Sequence, residues 1–319
     1  MIPVLADDAK MRAALSFPSL IAALRRAFAM GAEVPPRHHH PMPQPDGTTA
    51  TLLVMPAWQD GGYLGIKIVG VYPGNAARGL PGLQSTYLLN EAATGLPLAL
   101  LDGNEITRRR TAAASALGAD YLAHPDASSL LVVGSGQVAS LLPEAFASVR
   151  PIERIEIWSR NPAKAEELVA RLREDGREAT AVTDLAEAVR RADIVSCATL
   201  STAPLIRGAW LKPGTHLDLI GSFTPAMREA DDAAMAAGSI FVDTAAAFEE
   251  AGDLVGPIRA GLISPDAGSA TLGDLCRGKA VGRQSPDAIT IFKAVGTGLA
   301  DLAAATLAYS KLAQVRISQ

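Results

Sequence analysis

The fold of this 319-residue chain is decided by residues 130–139, which read LLVVGSGQVA. The apolar run predicts a buried strand, and the spacing G-x-G-x-x-A that follows predicts a tight turn into a helix. Gly134 permits the turn, Gly136 lets the backbone approach a pyrophosphate, and Ala139 lets helix and strand pack closely. Because the helix start offers amide N–H groups and a positive dipole end, the loop favours dinucleotide binding over a plain turn. The predicted cofactor contacts are Gly134, Ser135, Gly136, Gln137 and Val138.

Around this loop, short apolar runs alternate with amphipathic helical segments from about residue 125 onward. Such alternation is typical of an α/β protein with a parallel, doubly wound Rossmann sheet. The predicted strands cover residues 130–133, 154–158, 194–198, 215–220 and 239–242. One helix is predicted to begin at Gln137 and another to cover residues 162–174, with Pro162 in its first turn.

The chain before this region does not show this alternation of strands and helices. Helical spacing of apolar residues predicts one helix over residues 8–31. A further helix is predicted from Thr107, as its N-cap, to about residue 122. An Ala-rich helix is predicted near the end of the chain, over residues 296–312. Apolar runs separated by turn residues predict an antiparallel or mixed sheet, with strands at 50–55, 64–71, 84–90 and 96–101.

Composition and charge exclude several classes of protein. The 29 basic and 33 acidic residues give a net charge of −4, which predicts no electrostatic binding to nucleic acid. No apolar stretch is suited to span a membrane or to act as a signal peptide. Cys197 and Cys276 are the only cysteines, which is typical of a cytoplasmic protein with reduced thiols. His38–His40 have no cysteine cluster nearby, so no metal site is predicted and these residues are expected in a loop.

The residues that follow the predicted strand 154–158 indicate which dinucleotide binds. NAD-binding proteins usually carry an acid about 20 residues after the loop, where it holds the ribose 2′-hydroxyl. This chain has Ser159, Arg160 and Asn161 there instead. A hydroxyl beside a guanidinium suits a 2′-phosphate, so the sequence favours NADPH, with NADH as the weaker alternative. The other interpretation is that Arg160 is only a solvated surface residue.

Motifs spread over nearly the whole chain resemble those of the ornithine cyclodeaminase/mu-crystallin family. Besides the glycine loop, they are Met55-Pro56 with Gly65-Ile66-Lys67, Thr94-Gly95-Leu96-Pro97, the run Thr107-Arg108-Arg109-Arg110-Thr111-Ala112-Ala113, Gly221-Ser222 with Pro225 and Glu229, and Gly252-Asp253-Leu254. The resemblance implies a split α+β domain, residues 1–122 and 297–319, for substrate binding and dimerisation. A Rossmann domain, residues 123–296, is inserted in it. The resemblance also implies a homodimer.

The resemblance implies more than one activity. Members of the family cyclise ornithine, dehydrogenate alanine, or reduce cyclic imino acids such as pyrroline-2-carboxylate and piperideine-2-carboxylate, and mu-crystallin is a binding protein. Phe223 and Leu53 stand where the cyclodeaminases carry acids, and deamination needs a base. Reduction of a cyclic imine needs only a hydride, a proton and side chains that bind the substrate carboxylate. The expectation is therefore NADPH-dependent reduction to L-proline or L-pipecolate. The alternatives are a cyclodeaminase, an alanine dehydrogenase and a non-catalytic NADPH-dependent binding protein.

The resemblance also assigns roles to individual side chains. Arg37, Lys67 and Arg110 are implied to hold the substrate carboxylate, and Lys67 is the candidate catalytic group. Phe223 is expected to line the substrate or nicotinamide pocket. Further cofactor contacts are expected from Arg110, Thr111, Thr199, Leu200, Ser222 and Gly296. The alternatives are a surface salt bridge for Arg37, a wet strand face for Lys67, and a solvated helix surface for two of the three arginines 108–110.

Overall fold

A computed structural model describes residues 4–264 and 270–317. The strands are β1 (Val4–Ala6), β2 (His38–Pro43), β3 (Thr49–Trp58), β4 (Tyr63–Val71), β5 (Leu83–Glu91), β6 (Pro97–Asp102), β7 (Ser129–Val133), β8 (Arg154–Trp158), β9 (Ala179–Ala181), β10 (Ile194–Cys197), β11 (His216–Leu219), β12 (Ser239–Val242), β13 (Ala270–Thr271) and β14 (Thr290–Lys293). The α-helices are α1 (Asp8–Ala14), α2 (Phe17–Met30), α3 (Gly103–Leu122), α4 (Leu142–Ala147), α5 (Pro162–Glu174), α6 (Leu185–Arg191), α7 (Asp232–Ala236), α8 (Ala247–Glu250), α9 (Gly252–Arg259), α10 (Leu272–Cys276) and α11 (Gly298–Ile317).

The described chain divides into two compact units. The first unit holds the residues up to Arg110 together with those from Thr297 onward. The second unit runs from Thr111 to Gly296. The boundary expected from the sequence lies at residue 122, where α3 ends, whereas the chain divides inside that helix.

The first unit is built on a six-stranded mixed sheet with the order β1-β6-β5-β4-β3-β2. β1 runs parallel to β6, and the other neighbours are antiparallel. Because successive side chains of a strand point to opposite faces, β4 presents Gly65, Lys67 and Val69 to one face and Ile68 to the other. The first three are buried and Ile68 is exposed, since α11 packs on β3 and β4 from one side.

The single N-terminal helix predicted over residues 8–31 is wrong, because the chain forms two helices there. α1 ends at Ala14 and α2 begins at Phe17, with Ser16 as the N-cap of α2. Pro18 lies in the first turn of α2, where its missing N–H costs no hydrogen bond, but its ring prevents continuation from a preceding helix. Within residues 4–264 and 270–317, no single helix is long and apolar enough to cross a membrane; α1 and α2 pass only as a pair bent by 76°.

Two further local predictions in the first unit are wrong. His38–His40 do not lie in a loop but in the edge strand β2, which pairs with β3. Helix α3 begins at Gly103 rather than with Thr107 as its cap. The carboxylate of Asp102 accepts a hydrogen bond from the Glu105 amide at 2.7 Å, and this contact sets the earlier start.

The second unit contains an eight-stranded parallel sheet with the order β13-β12-β14-β11-β10-β7-β8-β9. All residues of β7, β10 and β11 are buried, as expected for the centre of a doubly wound sheet. The predicted α/β Rossmann fold beside a second α+β region is therefore confirmed. The helix after the glycine loop begins as a 3-10 turn at Ala139–Leu141 and continues as α4, so it does not begin at Gln137 as predicted.

Candidate active site

The first unit buries two cations and one carboxylate in a single cluster. Lys67 Nζ on β4 lies 2.6 Å from Asp301 Oδ2 on α11, and Arg110 Nε on α3 lies 2.9 Å from Asp301 Oδ1. No more than 9% of any of these side chains is exposed. The wet strand face considered for Lys67 is therefore wrong. Because two cations share one carboxylate, the cluster carries an excess of positive charge.

Burial sets the protonation behaviour of this cluster. It lowers the pKa of Lys67 to about 8, because the ammonium loses its hydration; Asp301 opposes the shift, and Arg110 and Arg37 add to it. Burial by itself would raise the pKa of Asp301, but the two adjoining cations hold that pKa below its ordinary value. At neutral pH the cluster therefore holds an ammonium, a guanidinium and a carboxylate.

Tyr87 lies directly across from Lys67, on the neighbouring strand β5. Its hydroxyl is buried and has no hydrogen-bond partner among the described residues. Burial, and then the charge of Asp301, raise the pKa of this phenol well above its ordinary value, so it stays neutral. A Cβ on Gly65 would lie 1.9 Å from the Tyr87 oxygen, so only glycine leaves room for the ring. The cluster thus has a neutral hydroxyl beside its charges.

Arg37 immediately precedes β2 and is close enough to Lys67 for its charge to lower the pKa of that ammonium. It is half-buried. The neighbouring histidines of β2 are exposed. Over the part of the chain that the structure describes, no group of three or more His, Cys, Asp and Glu side chains is placed to hold a metal ion.

The other two arginines at the start of α3 are bound to the protein. Arg109 is 6% exposed, donates from Nε to the Leu15 carbonyl at 2.7 Å, and stacks over the ring of Phe17. Arg108 pairs with Glu105 at 2.5 Å. The solvated surface considered for two of the arginines is thus wrong for Arg109, because its guanidinium serves to fix α3 against the N-terminal helices.

In the second unit, the glycine loop has the geometry that a dinucleotide site requires. Gly134 has φ +125°, and a Cβ there would lie 2.7 Å from the Ala198 carbonyl oxygen, so another residue would strain the turn. A Cβ on Gly136 would meet nothing within 4 Å, which leaves that backbone open to a ligand. Ala139 is fully buried at the start of the following helical turn. These residues fit the pyrophosphate of a dinucleotide.

The residues after β8 lie beside this loop. Ser159 Oγ is 3.0 Å from Ser135 Oγ, and Arg160, which is exposed, donates to Ser201 Oγ at 3.3 Å. Asn161 accepts a hydrogen bond from the Ala163 amide at 3.1 Å and so caps α5. The structure therefore brings Ser159 to the glycine loop and Arg160 to the segment after β10, and the side chain of Asn161 caps a helix.

The remaining candidates follow the carboxyl ends of β10, β11 and β14, where ligands bind in open α/β sheets. Leu200 is 71% exposed and Phe223 is 41% exposed, whereas Ser222 is buried. Gly296 has φ +82°, and its amide donates to Asp243 at 2.7 Å. Thr111 lies at the other end of this unit's chain, on α3 next to Arg110.

Comparison with known proteins identifies the family. The family model described as "Ornithine cyclodeaminase/mu-crystallin family" matches residues 7–315. The chain belongs to this family. It is 46% identical over 258 residues to a Delta(1)-pyrroline-2-carboxylate reductase of Paracoccus denitrificans, which covers 80% of this chain and 81% of that protein.

Two solved structures of similar shape extend the comparison. The Delta(1)-pyrroline-2-carboxylate reductase of Thermococcus litoralis, in complex with NADH and L-proline, has a TM-score of 0.90 at 30% identity and covers 98% of each chain. An archaeal alanine dehydrogenase dimer with bound NAD has a TM-score of 0.91 at 28% identity, covering 99% of this chain and 98% of that one. The resemblance inferred from the motifs is confirmed, and the chain is an oxidoreductase of the ornithine cyclodeaminase/mu-crystallin family.

Sequence reasoning missed Asp301 and Tyr87. A signal for Asp301 exists, because it is the only charged residue in the run from Ala294 to Ser310. A lone acid in an apolar helix needs a buried partner or a route to water. Tyr87 carries no comparable signal, since an aromatic residue in a strand is ordinary.

Proposed function

We propose that this protein reduces pyrroline-2-carboxylate to L-proline with NADPH. The six-membered piperideine-2-carboxylate, which gives L-pipecolate, is the second substrate proposed. The observation that carries the proposal is the pairing of two buried cations, Lys67 and Arg110, with the single carboxylate of Asp301. Their excess positive charge suits a substrate carboxylate, which forms charge-assisted hydrogen bonds with ammonium and guanidinium groups. Arg37 is the third contact proposed for this carboxylate.

The two acids that deamination of ornithine would use are replaced in this chain. Leu53 pairs with Val69 across β3 and β4, which places it on the same sheet face as Lys67. Phe223, in the second unit, follows β11. Neither side chain can take a proton from an ammonium or a water, so cyclodeaminase chemistry lacks its base. A cyclic imine needs no such base, because its carbon is already electrophilic.

The reaction adds a hydride to the ring carbon and a proton to the nitrogen, so that the C=N bond becomes CH–NH. When bound, the reduced nicotinamide supplies the hydride. Arg37, Lys67 and Arg110 hold the carboxylate and so fix the orientation of the ring. The Lys67 ammonium, with its pKa of about 8, holds a proton at Nζ at neutral pH and is the proposed proton source for the imine nitrogen.

The proposed cofactor contacts lie on the glycine loop and on the segments that follow the strands. They are Arg110, Thr111, Gly134, Ser135, Gly136, Gln137, Val138, Ser159, Arg160, Asn161, Thr199, Leu200, Ser222 and Gly296, and Phe223 is the proposed apolar contact to substrate. Support comes from the open backbone at Gly136 and from the placement of Ser159 beside Ser135.

A preference for NADPH follows from Arg160. A charge-assisted hydrogen bond contributes about 1.5–3 kcal/mol, so kcat/KM in the wild type should be about ten- to hundredfold higher with NADPH than with NADH. Arg160→Ala should remove this preference by lowering the value for NADPH alone. Arg154→Ala, at the exposed opposite end of β8, is the matched control and should leave it unchanged. Equal kcat/KM values for the two cofactors in the wild type would contradict the assignment.

Ornithine tests the choice between reduction and cyclodeamination. Because a general base contributes about 10²–10⁴-fold, ornithine with NAD should release ammonia at about a hundredth of the imine reduction rate or less. The measurement is coupled ammonia detection beside NADPH oxidation, with the same enzyme stock. Comparable rates for the two substrates would overturn the reductase proposal.

The open face of the six-stranded sheet supports a homodimer. Leu5, Ile68 and Leu100 are 59%, 42% and 42% exposed on the face opposite Lys67. An apolar sheet face of this kind, in a chain whose archaeal neighbour is a dimer, is the proposed contact with a second copy.

A charge placed in that contact should separate the copies. Ile68→Lys is expected to give monomers in analytical ultracentrifugation at concentrations where the wild type is dimeric, because an unpaired charge would be buried. Val281→Lys, at an apolar residue of the second unit that is 71% exposed, is the matched control and should remain dimeric. A monomeric wild type, or an Ile68→Lys variant that stays dimeric, would refute the proposed interface.

A further inference from the structure

The second unit contains a buried carboxylate that joins two of its cofactor-side loops. Glu229 is fully buried. Its Oε1 accepts hydrogen bonds from the amide and the hydroxyl of Thr199, at 2.7 and 2.9 Å. Its Oε2 accepts from the amides of Gly221 and Ser222, at 2.8 and 3.2 Å. One side chain therefore ties the segment after β10 to the segment after β11.

The two segments are packed too closely for any other residue at position 221. A Cβ on Gly221 would lie 1.9 Å from the Thr199 carbonyl oxygen and 2.5 Å from Glu229 Oε1. The backbone of this glycine thus approaches the carboxylate directly. The position of each segment depends on the other, with Glu229 between them.

Glu229 is itself held by a second carboxylate and a buried cation. Asp253 Oδ1 accepts hydrogen bonds from the amides of Glu229 and Ala230, at 2.7 and 3.0 Å. Lys293 Nζ, at the end of β14, lies 3.2 Å from Asp253 Oδ2 and 3.9 Å from Glu229 Oε2. Both of these side chains are fully buried. Lys293 is thus the counter-ion of both carboxylates.

The segment after β10, one of the two that Glu229 holds, borders the glycine loop. β10 is the direct neighbour of β7 in the sheet, and a Cβ on Gly134 would lie 3.5 Å from Thr199 Cγ2. The amide of Arg228 donates to the Ser201 carbonyl at 2.8 Å, and Ser201 Oγ accepts from Arg160. The segment that Glu229 holds after β10 is therefore in van der Waals reach of the glycine loop, and its hydrogen bonds extend to the arginine proposed to select the cofactor.

We propose that Glu229 is a positioning residue that sets dinucleotide affinity by holding the segments after β10 and β11 in place, with Asp253 and Lys293 as its support. The proposal rests on the proposed use of a nicotinamide dinucleotide at the glycine loop. The four hydrogen bonds that Glu229 accepts come from Thr199, Gly221 and Ser222. Loss of the Glu229 carboxylate therefore frees the segments after β10 and β11 and not the central strands. The cost therefore falls on binding of the nucleotide.

Glu229→Gln isolates this role. A glutamine keeps the length and one acceptor oxygen, but its amide nitrogen would face donors and lose two of the four hydrogen bonds. The variant should fold, because Lys293 remains paired with Asp253 and the buried charge is then balanced. Burial, with Asp253 adding to it and Lys293 opposing it, already raises the pKa of Glu229 to about 7, so its neutral form is readily tolerated.

Asp193→Asn is the matched control, at the opposite end of the strands of the same sheet. Asp193 Oδ2 accepts hydrogen bonds from the amides of Ser128 and Ser129, at 3.1 and 3.0 Å, where β7 begins. It thus holds backbone by the same chemistry, away from the carboxyl ends of the strands. If Glu229→Gln weakened nucleotide binding only by destabilising the unit, Asp193→Asn should weaken it to the same extent.

The experiment is direct titration of NADPH and NADH by nucleotide fluorescence, with the thermal midpoint and KM values measured in parallel. Glu229→Gln should weaken binding of both nucleotides by about ten- to hundredfold, while the KM for the imino acid changes by less than about threefold. Asp193→Asn should lower the thermal midpoint and leave both affinities at the wild-type level. Wild-type affinity in folded Glu229→Gln, or an equal loss in both variants, would overturn the proposal.

A second pair of variants keeps the test decisive if Glu229→Gln does not fold. Thr199→Val removes one hydroxyl donor to Glu229 but keeps the Thr199 backbone, which is the proposed contact to the nucleotide, and it should weaken NADPH binding about threefold or more. Thr199→Ser restores the hydroxyl and should restore the affinity. Unchanged binding in Thr199→Val, or no recovery in Thr199→Ser, would refute the role of Glu229. A wild type that binds neither nucleotide would instead refute the proposed function itself.

Discussion

Replacing Lys67 with methionine is expected to lower kcat/KM for pyrroline-2-carboxylate by about thirty- to several-thousandfold. Methionine keeps most of the packing of the lysine stem and removes only the charge. Loss of a buried cation opposite a carboxylate costs about 2–5 kcal/mol, and about 1.4 kcal/mol corresponds to tenfold. NADPH affinity, measured by fluorescence titration, should change little. A folded Lys67→Met variant with nearly wild-type kcat/KM would remove Lys67 from the active site.

The pH profile gives this prediction a second readout. If the Lys67 ammonium is the reactive form, kcat/KM should fall as pH rises through about 8, where its lowered pKa lies. The Lys67→Met variant should lack this limb of the profile. Lys311→Met is the matched control, because Lys311 is on α11 of the same unit and donates from Nζ to Ser19 Oγ at 3.1 Å. It should keep both the rate and the profile.

Replacing Asp301 with asparagine is expected to destabilise the protein by about 3–5 kcal/mol at pH 7. Asparagine preserves the shape but leaves the Lys67 and Arg110 cations buried without a counter-charge. The measurement is equilibrium unfolding in urea. Asp8→Asn is the control, since Asp8 forms an exposed ion pair with Arg12 in the same unit and should cost less than about 1 kcal/mol.

The pH dependence of this loss has a definite sign. The pKa of Lys67 lies near 8 in the folded protein and at an ordinary 10.5 in the unfolded chain, so the unfolded chain binds more protons between these values. Stability from this group therefore rises with pH across that window. Without Asp301 the pKa falls further, so Asp301→Asn should recover part of its loss between pH 7 and 9. A loss below about 1 kcal/mol, with wild-type pH dependence, would contradict the account.

The second unit was predictable because its signals are local. The apolar residues of β7 and the spacing of Gly134, Gly136 and Ala139 lie within ten residues of sequence. Strands β8 and β12 have the predicted bounds. β12 is apolar after its first residue, and β8 carries its isoleucines at every second position, so both follow patterns that the sequence shows directly. Strands β13 and β9 have two and three residues, which is too short for a recognisable sequence pattern. They are defined by their hydrogen bonds to β12 and β8.

The first unit was less predictable because its decisive contacts are distant in sequence. Lys67 is 234 residues from Asp301, and Arg110 is 191 residues from it. A lysine among apolar residues predicts that a partner exists, but only the packing of α11 on β4 identifies it. The edge strand β2 was missed for a related reason, since exposed polar residues give no apolar alternation.

The central claim is reduction of a cyclic imino acid, and product analysis tests it most directly. Wild-type protein is incubated with NADPH and pyrroline-2-carboxylate. Proline is quantified by chiral chromatography, and NADPH oxidation is followed in the same sample by the loss of nicotinamide absorbance. We expect one L-proline to form for each NADPH oxidised. Folded protein that binds NADPH but forms no L-proline from this substrate would contradict it.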